Sequence, residues 1–323
     1  MDFELSEEHL AVQQAARDFA QTELLPGVIE RDNEQKFPYE QIKKMGELGF
    51  MGMMVDPKYG GGGMDAISYV LAMEEISKVD ASASVCMSVN NSLVCWGLEE
   101  YGTEEQKMKY LVELASGQKI GAFLLSEPEA GSDATKQHTT ALDHGDYYVL
   151  NGIKNWITNG SSASVYLVMA QTDANKGSKG INTFIVEKQW QGVSVGHKEN
   201  KMGIRASDTH SIAFTDVKVP KQNRIGPDGF GFSFAMKTLN GGRIGIAAQA
   251  LGITPWRSFL HLETPQALRL ARPLLVNQAI LTVKESSLAS LVTYPELTLQ
   301  AGRLVAEQFV YVEPYLLLAL SYW

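Results

Sequence analysis

The sequence predicts an α+β protein: an N-terminal α-helical domain over residues 1–117, a middle antiparallel β-domain over 118–228, and the start of a second helical region over 229–253. Three observations carry that expectation. Apolar residues recur at helical spacing through the first part. Short β-branched and aromatic runs, separated by Gly, Asn, Asp and Lys clusters, then take over. After Gly226-Pro227 comes an apolar segment of helix length with glycines inside it.

Taken in order, Ser6 is placed to cap a first helix, with Glu7 and Glu8 in its first turn. Leu10, Ala15, Phe19 and Leu24 keep near-helical spacing until Pro26. Phe37-Pro38 opens a second helix, with Pro38 in the first turn and Gly49 past the end. Gly60 to Gly63 form a glycine-only loop, and Ile67 to Lys78 reads as a third helix. Ala81 to Glu100 is dense in small and apolar residues, as in a helix buried on several sides. Thr103-Glu104-Glu105-Gln106 is a capping box for a further helix that stops near Gly117. The β-prone runs are Tyr147-Val149, Val165-Ala170, Thr183-Val186, Val193-Val195 and Ser211-Phe214.

Length and charge bound the function. A chain of 323 residues can bury a substantial core. A net charge of −9 argues against a nucleic-acid binder, whose affinity rests on a basic surface. Cys86 and Cys95 lie in apolar sequence and read as buried free thiols, which fits a reducing compartment. The six histidines show no metal-ligand spacing, so no metal is expected. The start, MDFELSEEHL, lacks the regions of a signal peptide, and no apolar run approaches the ~20 residues of a membrane span. The expected compartment is the cytoplasm, or the mitochondrial matrix for a processed eukaryotic chain.

Chemistry points first to the stretch from Phe123 to Gly160. Ser126 to Asp133 is a loop of small, polar and acidic residues, bent by Pro128 and freed by Gly131. Asn151-Gly152 and Asn159-Gly160 bracket Trp156, Ile157 and Thr158, and Asn-Gly between β-prone segments signals a hairpin turn. Loop and hairpin could wall a flat ligand, or be an ordinary surface loop and hairpin. Gly241, Gly242 and Gly245 within the late helix imply close backbone packing, a ligand, or a break between two helices. Asn240 to Arg243 reads as a turn offering a cation to an anionic ligand. Gly61-x-Gly63-x-x-Ala66 formally matches a dinucleotide fingerprint, but neither a strong strand before it nor repeating βαβ units support a nicotinamide site.

Four motifs, SEPEAGSD, NGIKNWITNG, DVKVPKQNRIG and GFGFSFAMKTLNGGRIGIAAQALGI, resemble the acyl-CoA dehydrogenases, closest to the short-chain (butyryl-CoA) type. The resemblance covers about residues 1–253, in order. It implies a helical domain, a β-domain and a C-terminal helical bundle, with FAD held between the last two, usually in a homotetramer. It implies flavin contacts from Phe123, Leu124, Leu125, Ser126, Glu127, Pro128, Glu129, Ala130, Gly131 and Ser132. On the other side of the ring it implies Trp156, Ile157 and Thr158. Ser132, Asn240, Gly241, Gly242 and Arg243 are implied to meet the acyl-CoA. Asp is more usual than Asn at position 240 in the family, and Leu124 and Lys136 are larger than usual.

The reaction implied is α,β-dehydrogenation of a short-chain acyl-CoA to the trans-2-enoyl-CoA, with electrons passing to an electron-transferring flavoprotein. The family's catalytic glutamate lies in a Tyr-Glu-Gly-Thr-like segment that has no counterpart here, so no catalytic residue is assigned. Glu313, in YVEPY, is not given the role. Residues 254–323 hold five of the 11 prolines but one of the 29 glycines, a composition unlike the preceding chain. The C-terminal helical region is therefore expected to be truncated or altered relative to the family fold, through a shifted reading frame or an altered gene end. The alternative function is a non-catalytic remnant that binds CoA or assembles with relatives.

Overall fold

The structure, a computed structural model, describes residues 4–253; Glu313 and the divergent segment 254–323 lie outside the described residues. Helices fill the first part: α1 (Glu7–Phe19), which runs into a π-helical turn (Ala20–Leu24), α2 (Val28–Asn33), α3 (Tyr39–Glu47), α4 (Ala66–Ser77) and α5 (Ala81–Ser88). A π-helical stretch (Val89–Cys95) carries α5 into α6 (Trp96–Tyr101), followed by α7 (Glu104–Gln106) and, after a second π-helical turn (Lys107–Leu111), α8 (Val112–Ala115). Eight strands follow: β1 (Gly121–Leu124), β2 (Thr140–Asp143), β3 (Tyr147–Thr158), β4 (Val165–Gln171), β5 (Ile181–Glu187), β6 (Val193–Lys198), β7 (Thr209–Pro220) and β8 (Arg224–Ile225). A long helix, α9 (Gly231–Ile253), ends the described chain.

Local signals in the sequence were obeyed where partners sit a few residues apart. Ser6 accepts from the His9 backbone N–H, and the His9 ring returns the bond to the Ser6 N–H. Thr103 and Gln106 form the reciprocal capping box, at 3.3 and 3.0 Å. The helix expected from Ala81 does run unbroken into α6, through the π-helical stretch, and is buried on several sides. α2, only six residues long after Gly27 at φ 73°, had no signal in the sequence reading.

The sheet runs in the order β6-β7-β3-β2-β4-β5-β8, with β1 beside β4. All five β-prone runs lie inside strands. Pairing is antiparallel except where β1 and β2 meet β4 in parallel, so the sheet is mixed at its centre. Strands β1, β2 and β8 escaped the sequence reading because each is four residues or fewer.

Two adjacent buried asparagines tie the helical part together, and Asn90 also joins it to the sheet. Asn90 donates to the Met51 and Leu114 carbonyls and accepts from the Gly121 N–H at 2.9 Å. Asn91 donates to Phe50 and Met87 and accepts from Met53. Each thus satisfies backbone groups that burial would otherwise leave unpaired. Asn90 thereby fixes where β1, and the loop leaving it, begins. Cys86 and Cys95 are buried free thiols, and burial raises both above the ordinary thiol range.

The late glycines are not a break. α9 is continuous, and a Cβ on Gly245 would stand 2.5 Å from the Tyr69 hydroxyl, while one on Gly242 would stand 2.7 Å from Leu93 Cδ2. Close packing is their structural reason. The Gly61–Ala66 match belongs to a loop folded back on Met53 and Val55, preceded by a 3-10 turn and no strand. It has no dinucleotide-binding architecture.

Candidate functional site

Strand β3 carries the residues that matter, and its two irregularities decide where they point. Asn151-Gly152 is not a turn, as the hairpin signal suggested; it lies inside β3, and the turn into β3 comes earlier, around Gly145. Leu150 pairs with Val217 and Gly152 with Phe214, so β7 has one residue extra there. Asp216, at φ 50°, takes up that excess, and the Asn151 amide both accepts from and donates to it, at 2.9 and 3.0 Å. Gly152 is needed because a Cβ would come within 2.5 Å of Thr139 Oγ1.

The second irregularity reverses the face of the strand. Lys154 pairs with Ile212 but Ile157 with His210, which leaves one extra residue on β3. Tyr148, Leu150 and Lys154 share the inward parity, and without the bulge Trp156 would follow them into the core. Instead Ile157 is buried, and Trp156, at φ 59°, is 55% exposed. Asn159-Gly160 does turn the chain, with Asn159 buried at φ 62° and its N–H donated to the Asp208 carbonyl at 3.0 Å. The Asp208 carboxylate caps the same turn by accepting from the Ser161 and Ser162 N–H groups.

Opposite this strand end lies the loop that leaves β1. The Asn155 N–H donates to the Ser126 carbonyl at 2.9 Å, which brings the two segments into direct contact. Glu127 and Ala130 exchange both backbone hydrogen bonds around the Pro128-Glu129 tip. Beneath them is a buried ion pair that sequence reasoning missed. The Lys154 ammonium, fully buried, donates to Glu127 Oε1 at 2.7 Å, the Leu125 carbonyl at 3.1 Å and Gln137 Oε1 at 3.1 Å. Glu127 also accepts from the His138 N–H at 2.6 Å and the Thr139 N–H at 3.2 Å. A lysine at core parity on an amphipathic strand was the available signal.

Burial lowers the Lys154 pKa to about 8, with Glu127 pulling it back up. For Glu127, burial alone would raise the carboxyl, but Lys154 and the bonds from Thr139 and His138 outweigh it and hold the group below its ordinary 4.5. A depressed carboxylate contributes stability that is present above 4.5 and lost as pH falls through the folded value. Glu127→Gln should therefore flatten the acid limb of a stability–pH profile below about pH 4.5. Urea midpoints measured from pH 7 down to 3 check it, and an acid limb as steep as wild type counts against the pairing.

The expected ligand-facing residues sort themselves by direction. Leu124, Leu125, Ala130 and Ile157 are buried, and the Phe123 ring stacks on Phe234 of α9, 6.5 Å between centroids. The Glu127 carboxylate is committed to Lys154. Pro128, Glu129, Gly131, Ser132 and Trp156 are exposed, while Ser126 and Thr158 are half-buried. Among the described residues, the hydroxyls of Ser126, Ser132 and Thr158 and the Trp156 indole N–H have no hydrogen-bond partner. Asn240–Arg243 is a helical turn within α9, not a loop. Arg243 is exposed and donates to Asn240 Oδ1 at 2.5 Å, and Gly242 packs on Leu93. No direct bond joins it to the other two segments; the stretch Val89–Cys95 packs against both β1 and α9. No helix among the described residues is long and apolar enough to cross a membrane.

Hydrogen-bond donors beside an exposed aromatic face can hold a flat heteroaromatic ligand. The profile "Acyl-CoA dehydrogenase, N-terminal domain" matches residues 6–118, and "Acyl-CoA dehydrogenase, middle domain" matches 122–217. The short-chain specific acyl-CoA dehydrogenase of Clostridium acetobutylicum is 52% identical over 253 residues, covering 78% of this chain and 67% of that protein. The mitochondrial short-chain specific enzyme of Mus musculus is 48% identical over 250 residues, covering 77% and 61%. The chain thus spans about two thirds of the length of the curated relatives it matches.

Among solved structures, butyryl-CoA dehydrogenase from Megasphaera elsdenii superposes with a TM-score of 0.77 at 40% identity, over 91% of this chain and 82% of that one. A chain from the Acidaminococcus fermentans electron transferring flavoprotein structure gives 0.78 at 41% identity, over 97% and 83%. A glutaryl-CoA dehydrogenase from Mycobacterium smegmatis, in complex with FADH2, gives 0.72 at 35%, over 77% and 62%. With both domain profiles matched in order across the helical region and the sheet, this chain is a member of the acyl-CoA dehydrogenase family.

Proposed function

We propose that the chain carries the flavin- and thioester-facing part of an FAD-dependent acyl-CoA dehydrogenase that converts a short-chain acyl-CoA to the trans-2-enoyl-CoA. The observation that supports the reading is a set of donors without a partner among the described residues: the Ser126 and Ser132 hydroxyls on the loop after β1, and the Trp156 indole and Thr158 hydroxyl at the end of β3, two segments joined by the Asn155–Ser126 bond. Bound FAD supplies a two-electron acceptor for the hydride that leaves the substrate β-carbon. In this reading Thr158 and Ser126 would donate to the polar edge of the ring, and the exposed Trp156 indole would shield it from water. Donors there favour the electron-rich reduced state. Ser132 and the Asn240–Arg243 turn face the acyl-CoA, whose phosphates the Arg243 cation would attract. The electron partner in this reading is an electron-transferring flavoprotein. No base for the α-proton is assigned.

The second reading, a non-catalytic member that binds its ligand or its relatives without turnover, is favoured by residues 254–323, where no Tyr-Glu-Gly-Thr-like segment occurs. One measurement separates the two. The purified chain is given FAD, freed of excess, and its visible spectrum followed as butyryl-CoA is added. A yellow chain that bleaches is the expected result for the dehydrogenase. Colour that persists, or a colourless chain, sinks the first reading and supports the second.

A further inference from the structure

We propose that Lys154 is a positioning residue, which from β3 holds the Ser126–Ser132 loop at a set height beside Trp156 and Thr158 by binding Leu125, Glu127 and Gln137 at once. The proposal deepens the flavin reading and rests on it for the identity of the ligand. The geometry of the ammonium is its first support. A lysine has three N–H donors, and Lys154 places all three on acceptors drawn from separate points of one loop. Glu127 passes the tie onward to the N–H groups of His138 and Thr139, so the far end of the loop is held by the same pair.

The far end of the loop runs into β2, which pairs with β3 from Thr140 and Asn151 onward, but among the described residues little else ties the Ser126–Ser132 part to β3. One backbone bond, from Asn155 to Ser126, joins them, and the exchange between Glu127 and Ala130 closes only the tip on itself. The tie acts where the donors sit: Lys154 is two residues before Trp156, and Glu127 lies next to Ser126 in a loop that reaches Ser132. Losing it would free the two donor sets to move relative to each other, with no contact to the ligand lost. A buried charge pair is a weak source of net stability compared with apolar packing, so its use at this point is better accounted for by specificity of position.

The test uses the full chain and two variants. Lys154→Met/Glu127→Gln removes both charges together at similar volume, a change expected to cost less stability than Lys154→Met alone, although the Leu125 carbonyl and Gln137 Oε1 lose their donor. The urea midpoint is measured so that the comparison is made at matched stability. Amide hydrogen exchange at Asn155 and His138, and FAD affinity by flavin fluorescence quenching, are then compared. The expected result is exchange about tenfold faster and binding about tenfold weaker at matched stability. A purely structural pair would leave affinity where stability is, so unchanged exchange and affinity overturn the proposal. Should that variant not fold, Glu127→Asp keeps both charges but is one methylene too short to reach Lys154 and the His138 N–H together. The same two changes are expected from it, and their absence overturns the proposal equally. A wild-type chain that takes up no FAD defeats the flavin reading, whereas the tie itself falls only on unchanged exchange.

Discussion

Replacing Lys154 alone with methionine is expected to destabilise the fold by about 3–5 kcal/mol, the usual cost of breaking a buried ion pair from one side. The thioether would fill the space, so cavity formation is not the cause. The cause is Glu127, 2% exposed, whose carboxylate would keep its bonds from His138 and Thr139 but lose its only charged partner. A buried carboxylate without a counter-ion either takes up a proton or draws water into the loop, and both cost free energy. The control is Lys44→Met. Lys44 pairs with Glu23 at 2.5 Å, yet the two side chains are 49% and 36% exposed. Solvent screening reduces that pair to about 0–1 kcal/mol despite its short distance. Urea denaturation of both variants checks the contrast. Equal midpoints for the two would mean that Lys154 is not sequestered as described.

The same residue shows what was readable in advance. Features closed within three or four residues were legible: the Ser6 and Thr103 caps, the helix after Pro38, and the turn at Asn159-Gly160. The Asn151-Gly152 dipeptide misled because its role depends on Asp216, sixty-five residues later, which supplies the extra residue of the bulge. Trp156 and Thr158 stood out between the two Asn-Gly pairs, and the family likeness supplied only their expected roles. What aims Trp156 outward is a second bulge that no local pattern announces, since it exists only in the register with β7. Lys154 was the reverse case. Its parity with Tyr148 and Leu150 was visible, but its acceptors lie seventeen to twenty-nine residues away, and no spacing rule links a strand lysine to a loop glutamate.

Helix α9 offers the sharpest test of a choice that the sequence left open. Gly245→Ala is expected to destabilise the chain and Gly241→Ala to stabilise it, although both exchange glycine for the best helix former one turn apart. Propensity alone favours alanine by about 1 kcal/mol at each site. At Gly241 the new methyl would meet only the Ser92 carbonyl, at 3.7 Å, an ordinary contact, so the propensity gain survives. At Gly245 it would lie 2.5 Å from the Tyr69 hydroxyl and 2.7 Å from Ser88 Oγ. Tyr69 is 1% exposed and donates to Ser88 at 3.2 Å, so its ring has nowhere to swing and the methyl must part the two hydroxyls. Overpacking costs about 1–3 kcal/mol, and the strained Tyr69–Ser88 hydrogen bond up to about 1 more, against the ~1 gained. The net expectation is a loss of about 1–3 kcal/mol at Gly245, read from urea midpoints beside a gain at Gly241. Had these glycines marked a break between two helices, alanine would strain the chain at both places. Two losses would restore that break, and two gains would mean that α9 stands farther from α4 and α5 than its glycines allow.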